Sequence, residues 1–536
     1  MENIIPSFKI NELTDKIFSL PKELSYQGEI LPSTLVIFLE RIRRIPGYEE
    51  MTLKQKTDGF ISFNQDQSLN EEEYQISFKE SGIKIKAKTD HGFSNALVSL
   101  YLLALKNKGN LSEGEIKDSP NYSYRGFMLD TCRHFFKMDE VKKIIEQMAL
   151  VKLDIFHFHL SEDQGFRIES KKYPKLNEIG SYRNGTYKDK TRYGGYYTQE
   201  EIKDLVKYAG ERFITVVPEI DMPGHTTSLI ASYPELSCSG KETEVATVFG
   251  VLSRTICPSK EKTFEFLEGL LDEIIPLFPG PYFHLGGDEA PDIEWQTCPD
   301  CRQLMKDKGM KDAREIQTYF TERIIEILKK HHKIPLGWND VLYGGSIDKD
   351  FIAQFWMERG VKKNPAYKEA EEGRKFICSN TFSLYFDYPF AAVPLKATYD
   401  YKPNINGKPL LKENVFGIEA PLWAELLTSE KILEERAFPR LAVLAETAWK
   451  DGSKADYPAF KKTLKDFYLP LVSSYKLNYT SLYKADPGKF RKKLGMIPTF
   501  FKLIGYGMAY HKQQKKQQEE AEARLKKLDE EEKKQG

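Results

Sequence analysis

Asp288-Glu289, two adjacent carboxylates behind Gly286-Gly287, is the sharpest chemical feature of the chain. A carboxylic acid that protonates a departing oxygen needs its pKa raised toward the working pH, and a neighbouring carboxylate raises it by like-charge repulsion. The two glycines let backbone and ligand approach closely. Such a pair suits cleavage of a glycosidic bond, and its spacing limits the mechanism. A retaining two-carboxylate site holds nucleophile and acid about 5 Å apart on opposite sides of the scissile bond. Consecutive residues at one strand end approach from the same side. If Glu289 is the acid, Asp288 is a poor nucleophile, and the substrate itself could supply one through a 2-acetamido group.

Other candidates recur at the ends of short apolar runs. Trp338, Trp356 and Trp423 are three of the five tryptophans and close three such runs, which points to a sugar-stacking pocket. Tyr385 and Asp387 follow a fourth, and Glu425 follows Trp423 by two. Arg133 lies in Asp130-Thr131-Cys132-Arg133-His134, Glu162 in Ser161-Glu162-Asp163-Gln164-Gly165, and His225 ends Pro218-Glu219-Ile220-Asp221-Met222-Pro223-Gly224-His225.

The elements that must position these residues repeat. The apolar runs are Arg125–Thr131, Asp154–Leu160, Ile214–Ile220, Tyr282–Asp288, Ile334–Asp340, Phe351–Met357, Lys375–Thr381 and Val415–Trp423. Helical stretches such as Asp139–Val151, Thr198–Phe213, Lys260–Phe278, Ala313–Lys330 and Ala366–Gly373 alternate with them, and Ser429–Trp449 supplies a helix after the last. This alternation predicts an α/β protein with a (β/α)8 TIM barrel, whose chemistry belongs at the carboxyl ends of its strands. An open doubly wound sheet is disfavoured because no Gly-x-Gly-x-x-Gly turn follows the first strand. Residues 1–118 read as a small α+β N-terminal domain, with a hairpin around Ser81-Gly82 and a helix over Asn95–Leu105. The barrel is assigned to 119–455, a C-terminal helical segment packed on it to 456–508, and a charged tail to 509–536.

Composition sets the outer bounds. Lys plus Arg and Asp plus Glu number 79 each, so the chain lacks the basic excess of a nucleic-acid or anionic-membrane protein. Hydrophobic residues make up 40%, enough for a sizeable core, yet no apolar run is long enough to span a bilayer. The first residues, Met1-Glu2-Asn3-Ile4-Ile5-Pro6, lack the charged and apolar regions of a signal peptide.

Taken together the segments resemble glycoside hydrolase family 20, the β-N-acetylhexosaminidases. The resemblance runs from Tyr124-Arg125-Gly126 through Asp130–Phe136, His157–Arg167, Pro218–His225 and His284–Glu289. It continues through Gly337-Trp338, Gln354-Phe355-Trp356, Tyr385-Phe386-Asp387 and Trp423-Ala424-Glu425, in the family's order. It implies substrate-assisted retaining hydrolysis of terminal β-linked GlcNAc or GalNAc, without metal or cofactor. Glu289 would be general acid and then base. Asp288 would hold the acetamido N–H and stabilise an oxazolinium intermediate, and Tyr385 would bond the acetamido oxygen. Trp338, Trp356 and Trp423 would box the N-acetyl group and sugar face, while Arg133, Asp387 and Glu425 would grip ring hydroxyls. His225 would sit between Glu289 and Glu162. The implied partners are N-acetylhexosamine-containing oligosaccharides or glycoconjugates. Many relatives carry Asp where this chain has Glu162, and Phe166 stands where Trp is frequent.

Two rival functions are weighed. His157-x-His159 on one strand, with His225 and His284 near, could belong to a metal-dependent hydrolase, although no further pattern completes a site. A non-catalytic sugar-binding barrel would be expected to lack the acid, which is present. Cys298-Pro299-Asp300-Cys301 provides two of the roughly four ligands that a structural zinc needs, and no second Cys-x-x-Cys exists. It is therefore read as a structural pair, with Cys238 and Cys257 as a possible second bridge. If oxidised, the pairs would indicate a periplasmic or secreted protein.

Overall fold

The computed structural model describes residues 4–185, 191–358, 365–450 and 456–488, together with positions 515, 519, 522–526 and 530. Eight parallel strands close into a barrel: β1 (Arg125–Asp130), β2 (Ile155–His159), β3 (Thr215–Glu219), β4 (Tyr282–His284), β5 (Ile334–Trp338), β6 (Ile352–Phe355), β7 (Phe376–Cys378) and β8 (Val415–Leu422). Each pairs with the next, and β8 returns to β1, Ile418 facing Arg125 and Leu422 facing Leu129. Each lies within its predicted run. The strands read as continuous apolar runs because a barrel strand is covered on both faces; every residue of β1 and β2 is buried.

One boundary departs from expectation. The fourth run was expected to reach Asp288, but β4 stops at His284. Gly286 and Gly287 have φ of 71° and 97°, which ends the strand. The reason is crowding by Asp221: a Cβ on Gly286 would stand 1.8 Å from its Oδ1, which also accepts the Gly287 N–H at 2.9 Å. The acidic pair thus sits on a loop above the barrel mouth.

Helices Met138–Leu150, Gln199–Gly210, Glu261–Ile274 and Arg314–Lys330 follow the first four strands. After β5 to β7 the connections shorten to pieces such as Asn339–Gly344, Pro365–Glu371 and Leu395–Tyr399, before Glu430–Ala437 and Arg440–Trp449 follow β8.

The N-terminal part is a seven-stranded sheet in the order Ile10–Ser19, Asn110–Asp118, Tyr74–Lys79, Gly82–Ala87, Ile61–Gln65, Glu23–Gln27 and Thr52–Gln55, carrying helices Pro32–Ile42 and Asp90–Lys106. It is tied to the barrel by polar contacts in a buried seam. Arg125 meets Glu72 at 2.6 Å and Asp154 at 3.2 Å. Asp118 receives the Trp449 indole N–H at 2.9 Å and lies 3.3 Å from the buried Lys152 ammonium. Burying such charges is tolerable only when they are paired.

Short helices between Tyr457 and Ala485 follow the barrel. Residues 489–508 of the expected C-terminal segment lie outside the described residues; of the charged tail, the described positions are helical. No described helix is long and apolar enough to cross a membrane.

Candidate active site

The loops after β2, β3 and β4 bring the acidic and imidazole groups together. His225, on the segment leaving β3, donates its Nδ1 proton to Glu162 Oε1 across 2.7 Å. Its Nε2 lies 3.7 Å from Glu289 Oε2 and 3.9 Å from Asp288 Oδ2. One imidazole therefore links the carboxylate at 162 to both members of the acidic pair. The longer Glu side chain reaches His225 and also meets Arg133 Nη2 at 3.0 Å and His159 Nε2 at 3.4 Å. Burial acts to raise the Glu162 pKa, but Arg133 and His225 overcome it and hold the carboxyl well below its ordinary range. His225 is the counterpart: burial disfavours its charge, yet Glu162 and Asp288 push its pKa well above 6.5.

His225 and Glu289 both adopt left-handed backbone, with φ of 54° and 50°. Non-glycine residues enter this region at a cost and do so where surrounding structure imposes it. Here Gly224 lets the β3 segment press against the β4 loop, since a Cβ there would stand 3.0 Å from Ala290 Cα.

Asp288 and Glu289 differ in surroundings. The Glu289 side chain is 37% exposed and that of Asp288 only 11%. Burial, followed in smaller measure by Glu289, raises the Asp288 pKa to about 6 despite the opposing influence of His225. Its Oδ1 is buried without a hydrogen-bond partner among the described residues. Such an orphaned acceptor is costly unless something supplies a donor.

Beside the pair stands an aromatic wall. Trp356 stacks on Tyr385 with ring centroids 6.2 Å apart, and Tyr385 lies 6.5 Å from Trp423. Trp338 packs 5.7 Å behind Trp423. It has no exposed surface, and its indole N–H donates to Glu219 at 2.9 Å. Trp338 is therefore the most deeply buried tryptophan of the wall. The Trp356 indole donates to Asp340 Oδ2 at 2.8 Å, and Asp340 Oδ1 accepts the Glu289 backbone N–H at 3.4 Å. Asp340 thus joins the wall to the acidic loop.

Arg133, Asp387 and Glu425 are gathered at the same mouth. Arg133 lies 4.8 Å over the Trp423 ring and 3.3 Å from Asp130, so its fork is largely engaged by protein. Asp387 keeps a buried Oδ1 without a partner among the described residues, and burial, reinforced by Glu425, raises its pKa to about 8.

Below the mouth runs a network not foreseen from sequence. Glu219 contacts His159 and lies 3.1 Å from His157 Nε2, while His157 Nδ1 bonds Glu419 at 2.8 Å. Glu419 also accepts from Tyr124 at 2.7 Å and Gln354 at 2.7 Å. His157, His159 and His284 have no exposed surface, and His284 Nδ1 accepts the Gly286 N–H at 3.1 Å. The His-x-His pair is thus engaged by carboxylates inside the barrel, out of a substrate's reach. Asp340 and Asp221 were also missed. Asp340 had a signal, because Trp338-x-Asp340 repeats the Trp423-x-Glu425 spacing at another strand end; Asp221 had none beyond its place after β3.

The family model described as "Glycosyl hydrolase family 20, catalytic domain" matches residues 122–452, and that described as the family's domain 2 matches residues 2–119. A beta-hexosaminidase of Porphyromonas gingivalis is 38% identical over 442 residues, covering 78% of this chain and 56% of the relative. One from Vibrio furnissii is 33% identical over 402 residues, covering 70% and 65%. The chain therefore spans less than two thirds of the length of either. Among solved structures, a GH20 exo β-N-acetylglucosaminidase from Vibrio harveyi in complex with N-acetylglucosamine superposes with a TM-score of 0.80 at 31% identity, covering 90% of this chain and 78% of that one. The β-N-acetylhexosaminidase of Bacteroides fragilis superposes with a TM-score of 0.81 at 30% identity, covering 91% and 99%.

Proposed function

Because the chain belongs to glycosyl hydrolase family 20, we propose that it is an exo-acting, retaining β-N-acetylhexosaminidase that releases terminal GlcNAc or GalNAc by substrate-assisted catalysis. The observation that carries this reading is the acidic pair itself: Glu289 and Asp288 flank one imidazole nitrogen at 3.7 and 3.9 Å, one carboxyl open to solvent and the other turned inward.

The difference in exposure divides the labour. Glu289 faces outward, where a leaving group departs and water arrives, so it donates its proton to the glycosidic oxygen. The 2-acetamido oxygen of the substrate attacks the anomeric carbon as that bond breaks, forming the oxazolinium. Glu289, now a carboxylate, takes a proton from the water that attacks the same carbon; the bond from that carbon to the acetamido oxygen breaks, the acetamido group is regenerated, and configuration is retained. Asp288 accepts the acetamido N–H with its free oxygen and sets its charge against the developing cation. Tyr385 donates its O–H to the acetamido oxygen, with Trp356 and Trp423 enclosing the N-acetyl group. Arg133 donates to a ring hydroxyl, and Glu425 and Asp387 accept from others; the unpartnered Asp387 oxygen suits a hydroxyl donor. His225, held by Glu162, steadies the negative charge that Glu289 acquires.

A panel of nitrophenyl β-glycosides of GlcNAc, GalNAc and glucose tests the reading. Turnover of the first or both acetamido sugars with no cleavage of the glucoside is expected. Efficient glucoside hydrolysis would refute the substrate nucleophile, and no turnover of any would favour a sugar-binding protein.

The pH profile follows from Asp288. Its pKa is raised from 3.8 to about 6, and its role requires the ionised form, so activity present at pH 7 is lost as pH falls through about 6. The value of kcat/KM reports the free enzyme, so its acidic limb should bend near pH 6. A flat profile down to pH 4.5 would contradict the role given to Asp288.

A further inference from the structure

Four cysteines distant in sequence meet beside the catalytic loops. Cys238 and Cys257 come from the segment after β3, Cys298 and Cys301 from the segment after β4, and their sulfurs all lie within 4.8 Å of one another. Cys301 Sγ stands 3.8 Å from Cys238 Sγ and 3.7 Å from Cys257 Sγ. All six cysteines of the chain are free thiols in the structure, so neither bridge expected from sequence is formed. The fold supplies the two ligands that a lone Cys-x-x-Cys lacks.

The separations carry a chemical meaning. Zinc–sulfur bonds of about 2.3 Å in a tetrahedron place the sulfurs about 3.8 Å apart, which is the spacing seen around Cys301. We propose that Cys238, Cys257, Cys298 and Cys301 form a tetrathiolate site for a structural zinc ion that staples the β3 and β4 loops together.

The surroundings fit thiolates. Cys298 stands at the N-cap of helix Pro299–Asp307, whose first residues hold Cys301. The Ser259 hydroxyl lies 3.2 Å from Cys257 Sγ and 3.5 Å from Cys301 Sγ. The hydroxyl's single proton, donated to a Cys257 thiolate, would stabilise the negative charge that metal ligation requires. Trp295, Ile316, Met305 and Met310 are apolar neighbours of the cysteine cluster. A redox role is disfavoured because Cys298 and Cys301 are buried, whereas a reactive sulfur needs access.

The staple would act on the active site through two short paths. Ala290, next to Glu289, packs on the cysteine cluster. Ile256, next to Cys257, accepts the Trp295 indole N–H at 3.0 Å and donates its own N–H to Pro223, two residues before His225, at 3.0 Å. The zinc would thus help hold His225 and Glu289 in their left-handed conformations without touching substrate.

The test uses the full chain purified after growth with added zinc. Elemental analysis should find about one zinc per chain, and cobalt substitution should give the sulfur-to-metal charge-transfer and intense visible bands of a tetrahedral thiolate site. Under denaturing, non-reducing conditions with chelator, every cysteine should alkylate. Stripping the metal should lower Tm, and zinc, but not magnesium, should restore it. The double variant Cys298→Ser/Cys301→Ser should lose the zinc. Four or more cysteines blocked as disulfides, no metal uptake by the reduced chain, or zinc retained in the double variant would each overturn the site. Should the variant fail to fold, the cobalt spectrum and thiol count of the unaltered chain still decide. These readouts do not depend on hydrolase activity.

Discussion

Glu289→Gln is expected to lower kcat/KM for an unactivated N-acetylglucosamine oligosaccharide by about 10²–10⁴-fold, the usual contribution of a positioned general acid. That corresponds to about 2.7–5.5 kcal/mol of transition-state stabilisation. Gln has nearly the same shape but no proton of suitable acidity, so the leaving oxygen departs unprotonated. The aryl glycoside is the control. Its leaving group needs little protonation, and kcat/KM extends only through the first irreversible step, so most of it should survive. The side chain is 37% exposed, and Gln can occupy the same strained backbone, so Tm should hardly move. Near-normal turnover of the natural oligosaccharide, or equal losses on both substrates, would remove Glu289 from the acid's role.

Asp288→Asn is expected to reduce kcat by about 10²–10³-fold, the typical effect of deleting one preorganised electrostatic partner of a transition state. The amide oxygen can still accept the acetamido N–H. It cannot balance the positive charge of the oxazolinium, so kcat should fall more than KM rises. Stability should move the other way. Burial raises this carboxyl's pKa to about 6, so the folded state disfavours its charge. That penalty is fully present above pH 6 and is relieved as pH falls toward the unfolded value of 3.8. At pH 7 the neutral amide should therefore melt no lower than Asp, and the acidic limb of the pH profile should vanish with it. A lower Tm with kcat and KM changed in proportion would mark Asp288 as a structural residue.

Much of the barrel was legible in the chain because its strands are covered on both faces. That covering demands short runs of apolar residues, and all eight runs contain the observed strands. The candidate site positions were legible for a related reason: a polar or aromatic residue closing such a run, as at Trp338, Trp423 or Glu162, has the strand end as its address. The N-terminal sheet was only partly read. Its hairpin over Tyr74–Lys79 and Gly82–Ala87 alternates cleanly, but the exposed outer strand Ile10–Ser19 carries too weak an alternation to announce itself.

What the sequence determined by itself is a set of local facts: the period of each element, the order of the strand ends, and an acidic pair whose adjacency argues against one carboxyl serving as nucleophile to the other's acid. What only the tertiary structure decided is which of these residues meet. The acidic loop departs from the barrel strand because Asp221, 65 residues earlier in number than Gly286, occupies the space a side chain would need. The histidines of β2 are committed to Glu219 and Glu419 inside the barrel, and Asp340 bridges Trp356 to Glu289. The four cysteines make the case most plainly: in sequence they are one short motif and two isolated residues, and the segments that follow the paired strands β3 and β4 carry their sulfurs into a single shell. The physical reason is the same throughout. Local patterns record how each segment buries its own surface, whereas contacts between strand ends depend on how the closed sheet arranges segments that the chain keeps apart.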